Sequence, residues 1–224
     1  MRVGIMQPYF LPYIGYFQLI HSVDVYVNLD HVSFMKKSYM TRNQLRNSTP
    51  INLQVASGSQ NKSCRDVFVN FEHGYLNKFY KTLHNLYSKS PYFGDVMERV
   101  IKPHFYEREI NVSEFNLGLI KTICEILEIK TRIVETSTTF RGSLFKKEFG
   151  LQGITKELGA QTYINAIGGT KLYNKENFKD AGIDLLFIKT KSMEVENVYD
   201  SILHQLMKYS TKHLSNQIHK YELV

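Results

Sequence analysis

Asp30 and His31 stand side by side after the run Val25-Tyr26-Val27-Asn28-Leu29. A histidine titrates near neutral pH and an adjacent carboxylate tunes it, so the pair has the chemistry of a general acid or base. The plain alternative is a turn that begins at Asp30 and leaves His31 exposed. Close behind come Lys36, Lys37, Arg42 and Asn43. A guanidinium beside an amide can hold a phosphate or carboxylate bidentately, with the lysines adding charge. A solvated basic loop is the competing reading, and the position of the cluster after a strand end favours binding. Gln7, where an apolar run stops at Pro8, is the third polar group in this stretch.

A second candidate is Gly168-Gly169-Thr170-Lys171, followed by Tyr173. Backbone N–H groups there could approach an anion, although the pattern is no P-loop and a glycine pair also serves a bare turn. Several signals are absent from the sequence. It has no G-x-S-x-G elbow, no H-E-x-x-H and no paired-cysteine spacing, and neither Cys64 nor Cys124 lies near an activating cluster. Metal ligation and covalent cysteine chemistry are therefore not expected.

The elements that must position these residues can be read from periodicity. Val3 to Met6 reads as a buried parallel strand ended by Gln7-Pro8, and Pro12 to His21 as a helix with its proline at the first position. Val25 to Leu29 is a second strand, closing a right-handed β-α-β unit. Ligands of such sheets gather at the carboxyl ends of the strands. Gln7, Asp30, His31, Arg42 and Asn43 are accordingly expected to share one cleft.

Farther on, Ile51 to Val55 alternates like a half-exposed strand, 57–63 is a polar loop, and Val67 to Val69 is a short β-like run. Helices are predicted over Tyr75 to Tyr87, Tyr92 to His104, and from Ser113 with Asn111 or Ser113 as cap. Arg132 to Thr136, Thr162 to Asn165 and Leu185 to Ile188 read as strands. A helix over Leu144 to Leu158 stops at Gly159, a suitable left-handed position. Tyr199 to Tyr209 carries an apolar helical face, and 210–224 reads as a weaker helical tail. The pattern predicts a single α/β domain over 1–224. Its sheet would be mostly parallel with helices on both faces, Rossmann-like, and 199–224 would form a C-terminal helical segment.

Composition narrows the partners. Of 224 residues, 43% are hydrophobic and 22% charged, as in ordinary globular proteins, and the net charge of +7 favours anionic partners. The cations are scattered, so no nucleic-acid arm is expected. Fifteen tyrosines and no tryptophan offer hydroxyls that can face a pocket, although most tyrosines should sit at core edges. Two widely separated cysteines suit an intracellular setting with free thiols. The N-terminus lacks the order of a signal peptide, and no segment approaches the ~18 apolar residues of a membrane span. A cytoplasmic protein with no integral membrane segment is expected, any membrane work being peripheral.

Three stretches carry a family resemblance: IMQPYFLPYIGYFQLI at Ile5 to Ile20, VDVYV at Val23 to Val27, and DHVSFMKKSYMTRNQL at Asp30 to Leu45. YSKSPYF at Tyr87 to Phe93, YINAIGGTKLY at Tyr163 to Tyr173 and NFKDAGI at Asn177 to Ile183 agree more loosely. On these residues the chain resembles the WbqC-like protein family. The pattern departs from the family's at His31, Tyr39 and Thr41, where an acid, a tryptophan and an asparagine are usual.

The resemblance implies a role in O-antigen or other surface-polysaccharide (lipopolysaccharide) biosynthesis, as a transferase of an acyl or aminoacyl group, glycyl among them. The acceptor would be the amine of a nucleotide-linked or lipid-linked amino sugar. His31 or Asp30 would take the amine proton. Gln7, Tyr16, Lys36, Lys37, Arg42, Asn43, Gly168, Gly169 and Tyr173 would bind substrate. An activated donor is required, and a CoA thioester, an aminoacyl-tRNA or an acyl-adenylate would each serve. Two alternatives stand beside this. A strand, then Gln-Pro, then a helix start resembles nucleotidyl- or adenylyl-transferase sites, with Tyr16 where a histidine would stand. A non-catalytic scaffold of a polysaccharide-assembly complex would expose the apolar helix at Tyr199 to Tyr209.

Overall fold

The computed structural model describes residues 1–56, 58–145 and 147–224. Ser57, the first residue of the expected polar loop, and Lys146, inside the expected helix from Leu144, lie outside the described residues.

The first apolar run forms β1 (Arg2–Met6) at the middle of a six-stranded sheet. It is followed by α1 (Ile14–His21) and β2 (Val25–Asn28), with β2 parallel to β1 in the register Val3↔Val25 to Met6↔Asn28. Gly4 is what lets α1 press onto the strand, because a Cβ there would lie 2.8 Å from the Leu19 side chain. After β2 a small hairpin intervenes, β3 (Arg42–Leu45) and β4 (Thr49–Asn52). Two helices come next, α2 (His73–Tyr87) and the short α3 (Phe93–Val96), then α4 (Val112–Ile126), whose cap Asn111 accepts from the Glu114 N–H at 2.9 Å.

The sheet continues through β5 (Arg132–Val134), then α5 (Lys147–Glu157), β6 (Thr162–Ala166), α6 (Lys175–Asp180) and β7 (Asp184–Thr190). Two further helices, α7 (Ile202–Lys208) and α8 (Thr211–Gln217), precede β8 (Tyr221–Leu223). In space the order is β5-β2-β1-β6-β7-β8, with every pairing parallel except β7 to β8. Alternate strand residues feed two cores. Tyr26 and Ile164 pack with α1, α4 and α7 on one face, while Val3, Ile5, Val25 and Val27 pack with α5 and α6 on the other. The fold is thus α/β, with a mostly parallel sheet covered on both faces.

From β1 the chain moves outward through β2 and β5 on one side and through β6 and β7 on the other. The change of direction falls between β1 and β6. Crevices outside the carboxyl ends of strands at such a switch point are where ligands of open α/β sheets bind. Gln7 leaves β1 at that edge, and Ile167 leaves β6 there.

Several expected boundaries move, each for a tertiary reason. Helix α1 begins at Ile14, not Pro12, because Leu11 takes a left-handed φ of 43° and the Pro12 carbonyl accepts from the Ile202 N–H at 2.8 Å. Arg42 and Asn43 open a strand rather than lying in a loop, since β3 finds its partner in Thr49–Asn52. The expected helix from Tyr92 runs only through α3 and then widens into a π turn at Met97–Ile101. Helix α5 starts at Lys147, and the residues before it form a tight 3-10 turn, Arg141–Leu144. The terminal stretch is not helical throughout. Its last residues form β8, which pairs antiparallel with the otherwise open edge of β7.

Candidate functional site

A cleft of about 860 Å³ opens beyond the carboxyl end of β1, lined by Gln7 and Tyr9 after β1, by Met35 and Lys37 to Tyr39, by Arg42 to Gln44 on β3, and by Tyr199. Its cations are Lys37 and Arg42, and no carboxylate is among its lining residues. Both side chains are exposed, and among the described residues neither has an acidic partner. Three tyrosine rings complete it. Tyr9 lies against Tyr39 with centroids 5.3 Å apart, and Tyr39 and Tyr199 are 56% and 72% exposed at the mouth. Burial, reinforced by Tyr13, Tyr39 and Tyr173, pushes the Tyr9 hydroxyl up to about 12, so it stays a neutral hydrogen-bonding group.

The wall of this cleft is a strained segment held from both sides. Leu11 is fully buried, and a left-handed branched residue is costly unless its surroundings fix it. Asn43 supplies that restraint by donating to the Phe10 and Leu11 carbonyls at 3.1 and 2.6 Å. The Ser201 hydroxyl also donates to Leu11 O, at 2.7 Å. Asn43 therefore spends its amide N–H groups on shaping the wall. Lys37 and Ser48, both lining the cleft, also have positive φ, 63° and 56°. Gln44 lines the cleft and ties the segment carrying Tyr199 to β3 by donating to Asp200 Oδ1 at 2.8 Å.

Asp30 and His31 are placed otherwise. They follow β2, the strand next to β1, so they stand along the same edge of the sheet, but neither is in the lining of the cleft. The expectation of one shared cleft thus holds for Gln7, Arg42 and Asn43 and fails for Asp30 and His31. The reason is a partner far away in sequence. Ser137, just beyond β5, donates its N–H and hydroxyl to Asp30 Oδ1 at 3.0 and 2.8 Å, and its Oγ accepts from the Asp30 N–H at 3.2 Å. Arg65 Nε lies 3.4 Å from Asp30 Oδ2, and the Cys64 thiol donates to the Asp30 carbonyl at 2.9 Å. That carboxylate is buried and fully engaged.

This network fixes the tautomer of His31. Its Nδ1 is 2.7 Å from Ser137 Oγ, whose single proton already goes to Asp30, so Nδ1 carries the hydrogen and Nε2 keeps its lone pair. Burial lowers the His31 pKa, with Asp30 opposing, which keeps the ring neutral near pH 7. A neutral imidazole with a free Nε2 is base-competent, and of the pair it is His31 rather than Asp30 that has this freedom.

The remaining sequence candidates scatter. Tyr16 is a core residue whose hydroxyl is engaged with the Tyr26 hydroxyl and the Gln7 carbonyl, so it is not offered to a ligand. Lys36 is exposed outside the cleft lining. Gly168 and Gly169 sit in a 3-10 turn, Ile167–Lys171. A Cβ on Gly169 would come within 3.1 Å of Asn165 and 3.2 Å of Phe187, a packing reason for that glycine. Tyr173 lines a separate, shallow cavity of about 640 Å³ with Lys171 and Lys175.

Sequence reasoning missed Ser137, Gln44 and the three tyrosines as site residues. Tyr9 and Tyr39 stood inside the motif-bearing stretches. Ser137 and Tyr199 carry no local signal.

The chain is thus an α/β protein whose mostly parallel sheet carries a tyrosine-lined cleft with two cations beyond the end of β1. The chain belongs to the WbqC-like protein family, which it matches over residues 7–212. It is similar to the uncharacterized protein Rv1507c of Mycobacterium tuberculosis (strain ATCC 25618 / H37Rv), with 25% identity over 140 residues, 60% of each chain. The chain thus spans about 60% of the length of that relative. No solved structure matches it.

Proposed function

We propose that this protein is a cytoplasmic transferase of surface-polysaccharide (O-antigen) biosynthesis. It would take a nucleotide-linked or lipid-linked amino sugar into the Gln7–Arg42 cleft and acylate or aminoacylate its amine. The observation that carries this reading is the pair Lys37 and Arg42, uncompensated by any lining carboxylate, among Tyr9, Tyr39 and Tyr199. Such cations suit a diphosphate, and the rings suit the flat or apolar faces of a base or sugar. The order of the parallel strands, 3-2-1-4-5 when numbered in chain order, supports a Rossmann-like reading, in which ligands gather beyond the carboxyl ends of the strands.

In the proposed step the neutral amine attacks the carbonyl of an activated donor of the thioester, ester or acyl-adenylate class. The N–C bond forms, the bond from carbonyl carbon to leaving group breaks, and the amine proton passes to His31 Nε2, which requires the ligand to extend out of the cleft from the end of β1 to the end of β2, since His31 does not line the cleft. His31 returns that proton to the leaving group when the group's basicity demands it. Ser137 and Asp30 hold the imidazole in its base-competent tautomer, and Gln7 orients the ligand across the ends of β1 and β2. Two observations favour the transferase reading over its rivals: Tyr16, at the helix start of a nucleotidyl-transfer site, is buried, and the apolar face of α7 packs into the core, although Tyr199 ahead of it is exposed.

Calorimetry with a nucleoside-diphosphate amino sugar tests the reading. Arg42→Ala should weaken binding at least about tenfold, because hydrogen bonds to charged groups contribute roughly 1.5–3 kcal/mol, and the difference should shrink with added salt. Equal affinity of both proteins at every salt concentration would remove the basis for the assignment.

A further inference from the structure

Outside the cleft, the most exposed large apolar side chains fall in two stretches of the chain, 144–149 and residue 172. Leu144, Phe145 and Phe149 are 82%, 59% and 67% exposed, and Leu172 is 73% exposed. The backbone that displays them is pinned. Arg141 and Gly142 N–H groups both donate to the Glu157 carboxylate, and Cβ atoms added at Gly142 and Gly150 would lie 2.4 Å from Ile154 N and 2.6 Å from Phe145 O. Helix α5 turns Leu151 and Ile154 into the core, so Phe149 faces outward by construction and not through looseness. The segment carrying Leu172 is tied to α5 by Asn177, which donates to Glu148 Oε1 at 2.8 Å.

Charge distinguishes among possible occupants. Segments 141–149 and 171–176 contain Arg141, Lys146, Lys147, Lys171 and Lys175 against Glu148 and Glu176, with the Glu157 carboxylate also at Arg141 and Gly142, in a chain of net charge +7. An apolar stretch flanked in sequence by more cations than carboxylates matches an anionic lipid surface, which accepts both the side chains and the charge. It matches a second copy poorly, since a two-fold contact would set these cations against each other. We propose that this face, Leu144, Phe145, Phe149 and Leu172 with the surrounding Lys and Arg, docks the protein peripherally on anionic membrane. The proposal does not depend on the transferase reading.

The absence of tryptophan provides a clean reporter. Phe149→Trp should blue-shift its emission when phosphatidylcholine vesicles containing phosphatidylglycerol are added, and not with phosphatidylcholine alone. The triple variant Leu144→Ser, Phe145→Ser, Phe149→Ser should keep its melting temperature and nucleotide-sugar affinity. Its partitioning in vesicle co-sedimentation should fall by roughly tenfold or more, given the transfer free energy of each apolar side chain. No emission shift, or undiminished sedimentation of the triple variant, overturns the proposal. So does a dimer, found by analytical ultracentrifugation, that the triple variant dissolves while vesicles leave it unbound.

Discussion

Two regions at the same edge of the sheet are built on opposite terms. At the end of β1 the cleft leaves Lys37 and Arg42 without acidic partners among the described residues and holds its wall by a left-handed Leu11. At the end of β2, Asp30 has both carboxylate oxygens engaged and lends its order, through Ser137, to His31. Unsatisfied groups facing solvent are available to a ligand, whereas a satisfied buried network fixes geometry and resists change. Type alone does not separate the two: charged residues occur in both, and partners decide which can bind.

The comparison can be broken first at His31. His31→Gln keeps a hydrogen-bonding group but cannot titrate, so turnover of an amino-sugar acceptor should fall about 10²–10⁴-fold with ligand affinity retained. Ser137→Ala should lower turnover less and displace the acid limb of the rate profile, because it frees the tautomer without removing the base. Wild-type rates in His31→Gln would place the proton acceptor elsewhere.

Asp30 should answer mainly in stability. Asp30→Ala strands the buried N–H and hydroxyl of Ser137, and leaving such groups unpaired costs about 1–3 kcal/mol each. Urea denaturation should show a loss of at least about 2 kcal/mol, against less than about 0.5 kcal/mol for Arg42→Ala in the exposed cleft. Similar losses for both would erase the distinction between the regions.

A smaller effect is expected from pH. Burial lowers the pKa values of His31, His104 and His204, the last despite Glu196 and Asp200 nearby. The unfolded chain protonates these rings near the ordinary value of about 6.5 while the folded chain does not, so unfolding takes up protons. This contribution is full above pH ~6.5 and declines as pH falls below it. Melting temperature should therefore drop between pH 7.5 and 5.5, and His204→Gln should flatten part of that slope. The acid limb of the rate profile should likewise lie below pH ~6.5, set by the depressed pKa of His31.

Much of this was legible in the chain. Val3 to Met6, Val25 to Leu29, Thr162 to Asn165 and Leu185 to Ile188 announce themselves as buried strands because a doubly covered sheet needs continuous apolar runs. The stop at Gln7-Pro8 put Gln7 at a carboxyl edge by backbone chemistry alone, and side-chain chemistry narrowed the cap of α4 to Asn111 or Ser113, of which the structure uses Asn111. The hairpin of Arg42 with Asn52 and the terminal strand beside β7 were not legible. Their pairing satisfies backbone groups of distant segments, and hydrogen bonds between remote residues leave no local period. The site divides in the same way. Sequence determined which residues could carry a proton or hold an anion. Only the tertiary structure chose among them, by bringing Ser137 and Arg65 to Asp30, Asn43 and Ser201 to Leu11, and Tyr199 to the mouth of the cleft. Availability depends on partners, and partners are decided by packing.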